Sequence, residues 1–345
     1  MFAALRLSLC GLALAFYSAA AFCSPSPKPG TIAEQQIRFI ASHFPGRMTG
    51  SPTEQLTADY LKQQFQSWGY DSGIRQFNAR YRYTPSNGEQ TWQNVTGNSV
   101  IAVHPGKVPQ QIIIMAHLDT WIPLSDSDSD RNLGGLSLQG VDDNASGLGV
   151  MLELAERLKE VPTHYSLRFI ATSGKQIAAA GARSVLQRMS KEEQKNTLLV
   201  INLDSLIVGE KLTFTSSAST PKTVRKISQD RAIALAHQLA IPVATQRDTQ
   251  VLAGSRQDFY REAALFDKAG IPVLSVESGR YRKGERPGQQ RAISKAFPEG
   301  SVQHQAALDN AQYLDKWLPG QITRRSQEVV KIMLPLVKGL VKVEK

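Results

Sequence analysis

Histidine and aspartate at the ends of apolar runs are the residues of this chain best suited to chemistry. His117-Leu118-Asp119 closes the run Ile112-Ile113-Ile114-Met115-Ala116, and Asp204 closes the run from Leu198 to Leu203. Between these two points, Ser173-Gly174-Lys175-Gln176 follows Leu167 to Ala171, and Asp142-Asp143-Asn144 precedes Ala145-Ser146-Gly147. Imidazole and carboxylate are donors that zinc accepts, so convergence of these groups points to a metal site of zinc type. Thiolates are excluded: Cys10 and Cys23 are the only cysteines, and both lie in a leader-like segment. No Gly-x-Ser-x-Gly elbow is present, which disfavours a serine hydrolase.

The apolar runs are what must position these groups. Short, nearly continuous apolar runs read as strands buried on both faces, as in an α/β sheet with helices on both sides. Ligands of such sheets bind just beyond the carboxyl ends of the strands. That rule sets His117, Asp119, the 173–176 turn and Asp204 along one rim. Leu148, Met151, Leu152, Ala155 and Leu158 then follow helical spacing, so the Asp142-Asp143-Asn144 turn sits at a helix start.

With these residues in place, the chain resembles the zinc aminopeptidases of family M28. The likeness is carried by the His-x-Asp after a strand, by the Asp-Asp-Asn-Ala-Ser-Gly turn, and by the later Asp204 and His304. It runs from Ser26 to the last helix. It implies an α/β fold of the zinc exopeptidase kind, with a mixed, mostly parallel central sheet. It also implies that His117, Asp143 and Asp204 hold one zinc, that Asp143 bridges to a second, and that His304 helps to hold the second. Asp119 would orient His117 from behind. Two such metals about 3.5–4 Å apart polarise a peptide carbonyl and activate water. The substrates implied are the amino-terminal ends of peptides or proteins.

Two positions depart from the family. Where it carries a general-base glutamate and a ligand glutamate, this chain has Lys175 and Gln176. A lysine is no base until it loses its proton, against a reference pKa of about 10.4, and glutamine is a poor zinc ligand. Loss of proton-transfer help alone costs about 10²–10⁴ in rate. The expectation is therefore a complete first metal site, a damaged second one, and the Lys175 ammonium near the vacated second position. Two readings compete: a metallo-aminopeptidase of altered activity, and a non-catalytic relative that binds peptide ends.

The remaining chain supplies context. Residues 1–23 read as a signal peptide: Arg6 is the sole charge and Leu7 to Ala21 form the apolar core. That predicts a periplasmic or secreted protein with no stable membrane anchor after cleavage, and one domain over residues 24–345. The net charge is +10, but the basic residues are spread, so nucleic acid is not an expected partner. Asp126, Asp128 and Asp130 lie in a long loop, 120–141. A calcium loop fails there because Arg131 and Ser137 stand at the turn-glycine and closing-glutamate positions. The sharper expectation is that these carboxylates attract a cationic substrate end, since the resemblance implies amino-terminal arginine as a substrate. Helices are expected over 31–44, from Pro52, over 221–239 and from Ile322, the last kinked or split at Pro335. Residues 279–300 read as a mobile loop able to cover the site. His43, His104, His164 and His237 lack acidic partners in sequence and read as structural or solvated.

Overall fold

The computed structural model describes residues 26–217, 219–244, 262–280, 289–290 and 294–342. The expected leader and half of the 279–300 loop, residues 281–288 and 291–293, lie outside the described residues.

Seven strands form one sheet: β1 (Asp71–Tyr83), β2 (Thr91–His104), β3 (Val108–His117), β4 (Tyr165–Thr172), β5 (Thr197–Leu203), β6 (Lys211–Ser216) and β7 (Val273–Gly279). Their order is β1-β2-β4-β3-β5-β7-β6. The centre, β4-β3-β5-β7, is parallel, and β1, β2 and β6 add antiparallel edges. The central strands therefore end on one side, as the apolar runs predict.

Alternation along β3 explains the layers. Ile112, Ile114 and Ala116 enter one apolar cluster, shared with Ile37, Leu61, Met151 and Met333 from helices Thr31–His43, Pro52–Ser67, Ser146–Leu158 and Gln321–Leu340. Ile113 and Met115 enter the other, with Val185 and Phe266 from helices Ala180–Arg188 and Glu262–Lys268. Successive strand side chains point to opposite faces, so an all-apolar strand needs helices on both.

The first helix is fastened from far away in sequence. The buried Glu153 carboxylate accepts from Gly30 N at 2.8 Å and Ala33 N at 2.7 Å, satisfying amides at that helix start. Ser51 caps the second helix by accepting from Glu54 N at 3.1 Å.

The expected 221–239 helix is present as a continuous helical stretch, Lys222–Arg225, a wider turn Lys226–Asp230, and Arg231–Gln238. The last helix runs unbroken from Gln321 to Leu340 through Pro335. Pro335 and Lys331, whose carbonyl loses its amide partner, lie on the exposed face, where water can take that carbonyl.

Candidate functional site

His117 is the last residue of β3, Asp204 follows β5, and Lys175 follows β4. Asp143 reaches the same point from the 141–145 turn. That turn is bent inward by Gly140, whose φ of +55° and closeness to Asp143 O leave no room for a Cβ. Asp309 holds the turn by accepting from Asp142 N at 2.7 Å and Asp143 N at 3.1 Å. Asp142 does not face the site. Its carboxylate accepts from Ile207 N at 2.8 Å and Val208 N at 3.0 Å, and from the Gln289 side chain.

One donor atom each from His117, Asp143 and Asp204 lies within 4.8 Å of the others, a group of the kind that can hold a metal ion. His117 Nε2 is 2.9 Å from Asp143 Oδ1 and 3.7 Å from Asp204 Oδ1. The other Asp143 oxygen is 3.2 Å from His304 Nε2, so this carboxylate lies between the two histidines. His304 has a φ of +66° and stacks on Trp121 at 3.7 Å between ring centroids.

Asp119 stands behind His117, on the Nδ1 side of the ring. His117 Nδ1 is 2.9 Å from the Asp119 main-chain oxygen and 3.5 Å from its carboxylate. The ring is thus oriented by the backbone of Asp119. Its carboxylate Oδ2 instead accepts from Thr49 Oγ1 at 3.1 Å and Lys175 N at 3.2 Å.

The two departures land where the sequence does not predict. Lys175 Nζ is 2.9 Å from His117 Nε2, 3.0 Å from Asp143 Oδ1 and 2.8 Å from Asp204 Oδ2. It is not at a vacated second position; it stands among the donors of the first. The side chain is long enough to reach back from the 173–176 turn, and two carboxylates draw it there. Gln176 is not at a ligand position either. Its Oε1 accepts from Ile122 N at 2.7 Å and its Nε2 donates to Ile122 O at 2.9 Å.

Electrostatics follow from this geometry. Burial works against ionised Asp143 and Asp204, but the Lys175 charge and the His117 contact outweigh it and hold both well below the usual carboxylate range. Burial likewise works against the Lys175 cation, and Asp143 and Asp204 overcome it, raising its pKa. A lysine so held keeps its proton at neutral pH and cannot serve as a general base. The donor set thus suits zinc, but the space does not: with Lys175 as placed, an ion at the triad would meet an ammonium within contact distance.

Sequence reasoning missed the supports. Arg47 is fully buried and donates through Nε to Leu118 O at 2.8 Å, through Nη2 to Gly140 O at 2.8 Å, and through Nη1 to Gln139 O. It joins the end of β3 to the Asp143 turn. Burial lowers its pKa to about 10, so it remains a cation. Asp309 had no signal beyond a lone carboxylate in an irregular segment. Of the loop aspartates, Asp126 accepts from Tyr83 and from Ser86 N at 2.7 Å, and Asp128 accepts from Leu124 N at 2.9 Å. These two brace their own loop, which holds a short helix, Asp126–Asp130; Asp130 is exposed.

Comparison with known proteins decides the lineage. Residues 99–330 match Peptidase family M28. This chain belongs to that family. It is 56% identical over 343 residues to the alkaline phosphatase isozyme conversion protein of Escherichia coli K12, covering 99% of each chain. Aminopeptidase YwaD of Bacillus subtilis is 30% identical over 118 residues, 33% of this chain and 23% of that one. Among solved structures, the zinc aminopeptidase BSAP from Bacillus subtilis superposes with a TM-score of 0.62 at 14% identity, over 91% of this chain and 96% of that chain. A glutaminyl cyclase from an Acidobacteriales bacterium gives 0.61 at 19% identity, over 94% and 98%. At such identities these structures establish the fold, and the two names show it carrying more than one chemistry.

Proposed function

We propose that this chain takes the amino-terminal ends of peptides or proteins at the carboxyl rim of its sheet, as a periplasmic or secreted member of its family, and that it does so without ordinary hydrolysis. The observation that carries this reading is the Lys175 ammonium within 3.0 Å of His117, Asp143 and Asp204. The position where the family has a base offers a protonated amine, and that amine fills the point where a metal would be needed. Asp119, Asp143 and Asp204 gather at the rim, but Lys175 and the His117 imidazole, held protonated against burial by the same carboxylates, offset much of their charge, so recognition of an amino end rests on family membership. The signal-peptide reading of residues 1–23 supports the location. Among the described residues no helix is long and apolar enough to cross a membrane.

The second reading is a zinc aminopeptidase releasing amino-terminal residues, arginine among them. Family membership and the His117–Asp143–Asp204 group favour it. For basic selectivity it has the exposed Asp130, while Asp126 and Asp128 are engaged locally.

Calorimetric titration with an arginine-led peptide, free and amino-acetylated, tests the first reading. Binding of the free peptide and loss of binding on acetylation are expected; equal affinity for both would overturn it. Chelator-sensitive release of arginine by the unaltered protein would establish the second reading instead.

A further inference from the structure

We infer that Lys175 is a tethered cation standing in for a metal ion, so that the centre of this chain is complete with no metal bound. The inference concerns what fills the centre, and it stands whether or not peptide ends bind beside it.

Lys175 Nζ touches three residues, and they are the same three whose donor atoms cluster within 4.8 Å. An ammonium has three N–H donors. Asp143 Oδ1 and the Asp204 carboxylate accept from it, and His117 Nε2 lies 2.9 Å away. Zinc would need the same atoms at about 2.0–2.2 Å, which leaves no place for Nζ. Buried carboxylates facing one another need a cation, and the chain supplies one covalently.

The backbone beneath the lysine is fixed for this role. Lys175 N donates to Asp119 Oδ2 at 3.2 Å, and Gly174 N donates to Thr49 Oγ1 at 3.0 Å. Lys175 O in turn accepts from Ala179 N at 3.1 Å. The side chain therefore leaves an anchored turn, and as a whole it is 17% exposed. Gln176, the neighbouring departure, spends both ends of its amide on Ile122 and offers the centre no ligand. The two substitutions fit together: one supplies the charge, and the other turns away from the ion it would otherwise hold.

Metal content and thermal unfolding of the purified, leader-free protein test this, with Lys175→Ala and Lys175→Met beside it. After equilibration with zinc and dialysis, the unaltered protein should retain far less than one zinc per chain. Neither chelator nor zinc should shift its Tm. The variants lose the tethered cation and should take up one zinc per chain, with a Tm that rises in zinc and falls with chelator. Stoichiometric zinc in the unaltered protein, with a Tm lowered by chelation, overturns the inference. So does a folded variant that still takes no zinc. Should neither variant fold, the unaltered protein decides alone. Peptide binding is read in a separate titration, so zinc in the unaltered protein would defeat this inference and leave amino-end recognition standing.

Discussion

Asp143 is the side chain through which the two histidines meet. One oxygen faces His117 and Lys175, and the other faces His304. Removing the partners around it should have graded effects. Asp204→Asn takes one carboxylate from a largely enclosed ammonium and should destabilise the fold by about 1–3 kcal/mol, less than for a fully buried pair because both groups retain some exposure. His304→Ala removes a contact from a side chain 31% exposed, and should cost under about 1 kcal/mol. Urea unfolding of both variants checks the order, and an equal or reversed ranking would contradict the charge geometry. His117, Asp143 and Asp204 were legible in the sequence because each closes a strand or opens a helix. His304 was not, since it sits at positive φ in an irregular segment; only the resemblance pointed to it. The destination of Lys175 was hidden as well. Sequence position gives the turn from which a lysine starts, but not where a flexible four-carbon stem brings its charge.

At the level of elements, the loop from 120 to 141 is held to the rim by Gln176. Both ends of its amide are used on Ile122, next to Trp121, which stacks on His304. Gln176→Glu keeps the acceptor but loses the donor, setting a carboxylate oxygen against a buried carbonyl. A loss of about 1–3 kcal/mol is expected, with a change in Trp121 fluorescence as its stacking loosens. An unchanged spectrum and stability would show that the clamp is dispensable. The parallel strands were readable as apolar runs because both their faces are covered. The 222–238 helix was readable because amphipathic spacing persists across its wide turn, and Pro335 does not split the last helix because a proline on a water-facing side leaves a carbonyl that solvent can satisfy. Arg47 could not be read as a brace: nothing in Pro45-Gly46-Arg47-Met48 distinguishes a buried guanidinium from a solvated one.

For the molecule as a whole, four enclosed carboxyls set the response to pH. Burial, the leading cause in each, raises Asp142 to about 6, Glu54 and Glu262 to about 7 and Asp309 to about 8. Unfolded carboxyls titrate near about 4. Between that value and the raised ones the folded state binds more protons, so stability falls as pH rises. Asp143 and Asp204, held low, are ionised in both folded and unfolded states from about pH 5.5 upward and add no slope there. The Tm should therefore be higher near pH 5.5 than near pH 8, and Glu54→Gln should make the decline shallower. A Tm that rises over this interval would contradict the prediction. The fastening of the first helix has a consequence of another kind, in time. Its start is held by Glu153, 120 residues beyond Ala33. A ribosome makes that helix long before it makes its anchor. Nascent chains halted before residue 153 should leave the first helix undocked and open to protease, and chains extended past the strands that follow should protect it. Assembly of this domain thus waits on its middle, whatever order its pieces are made in.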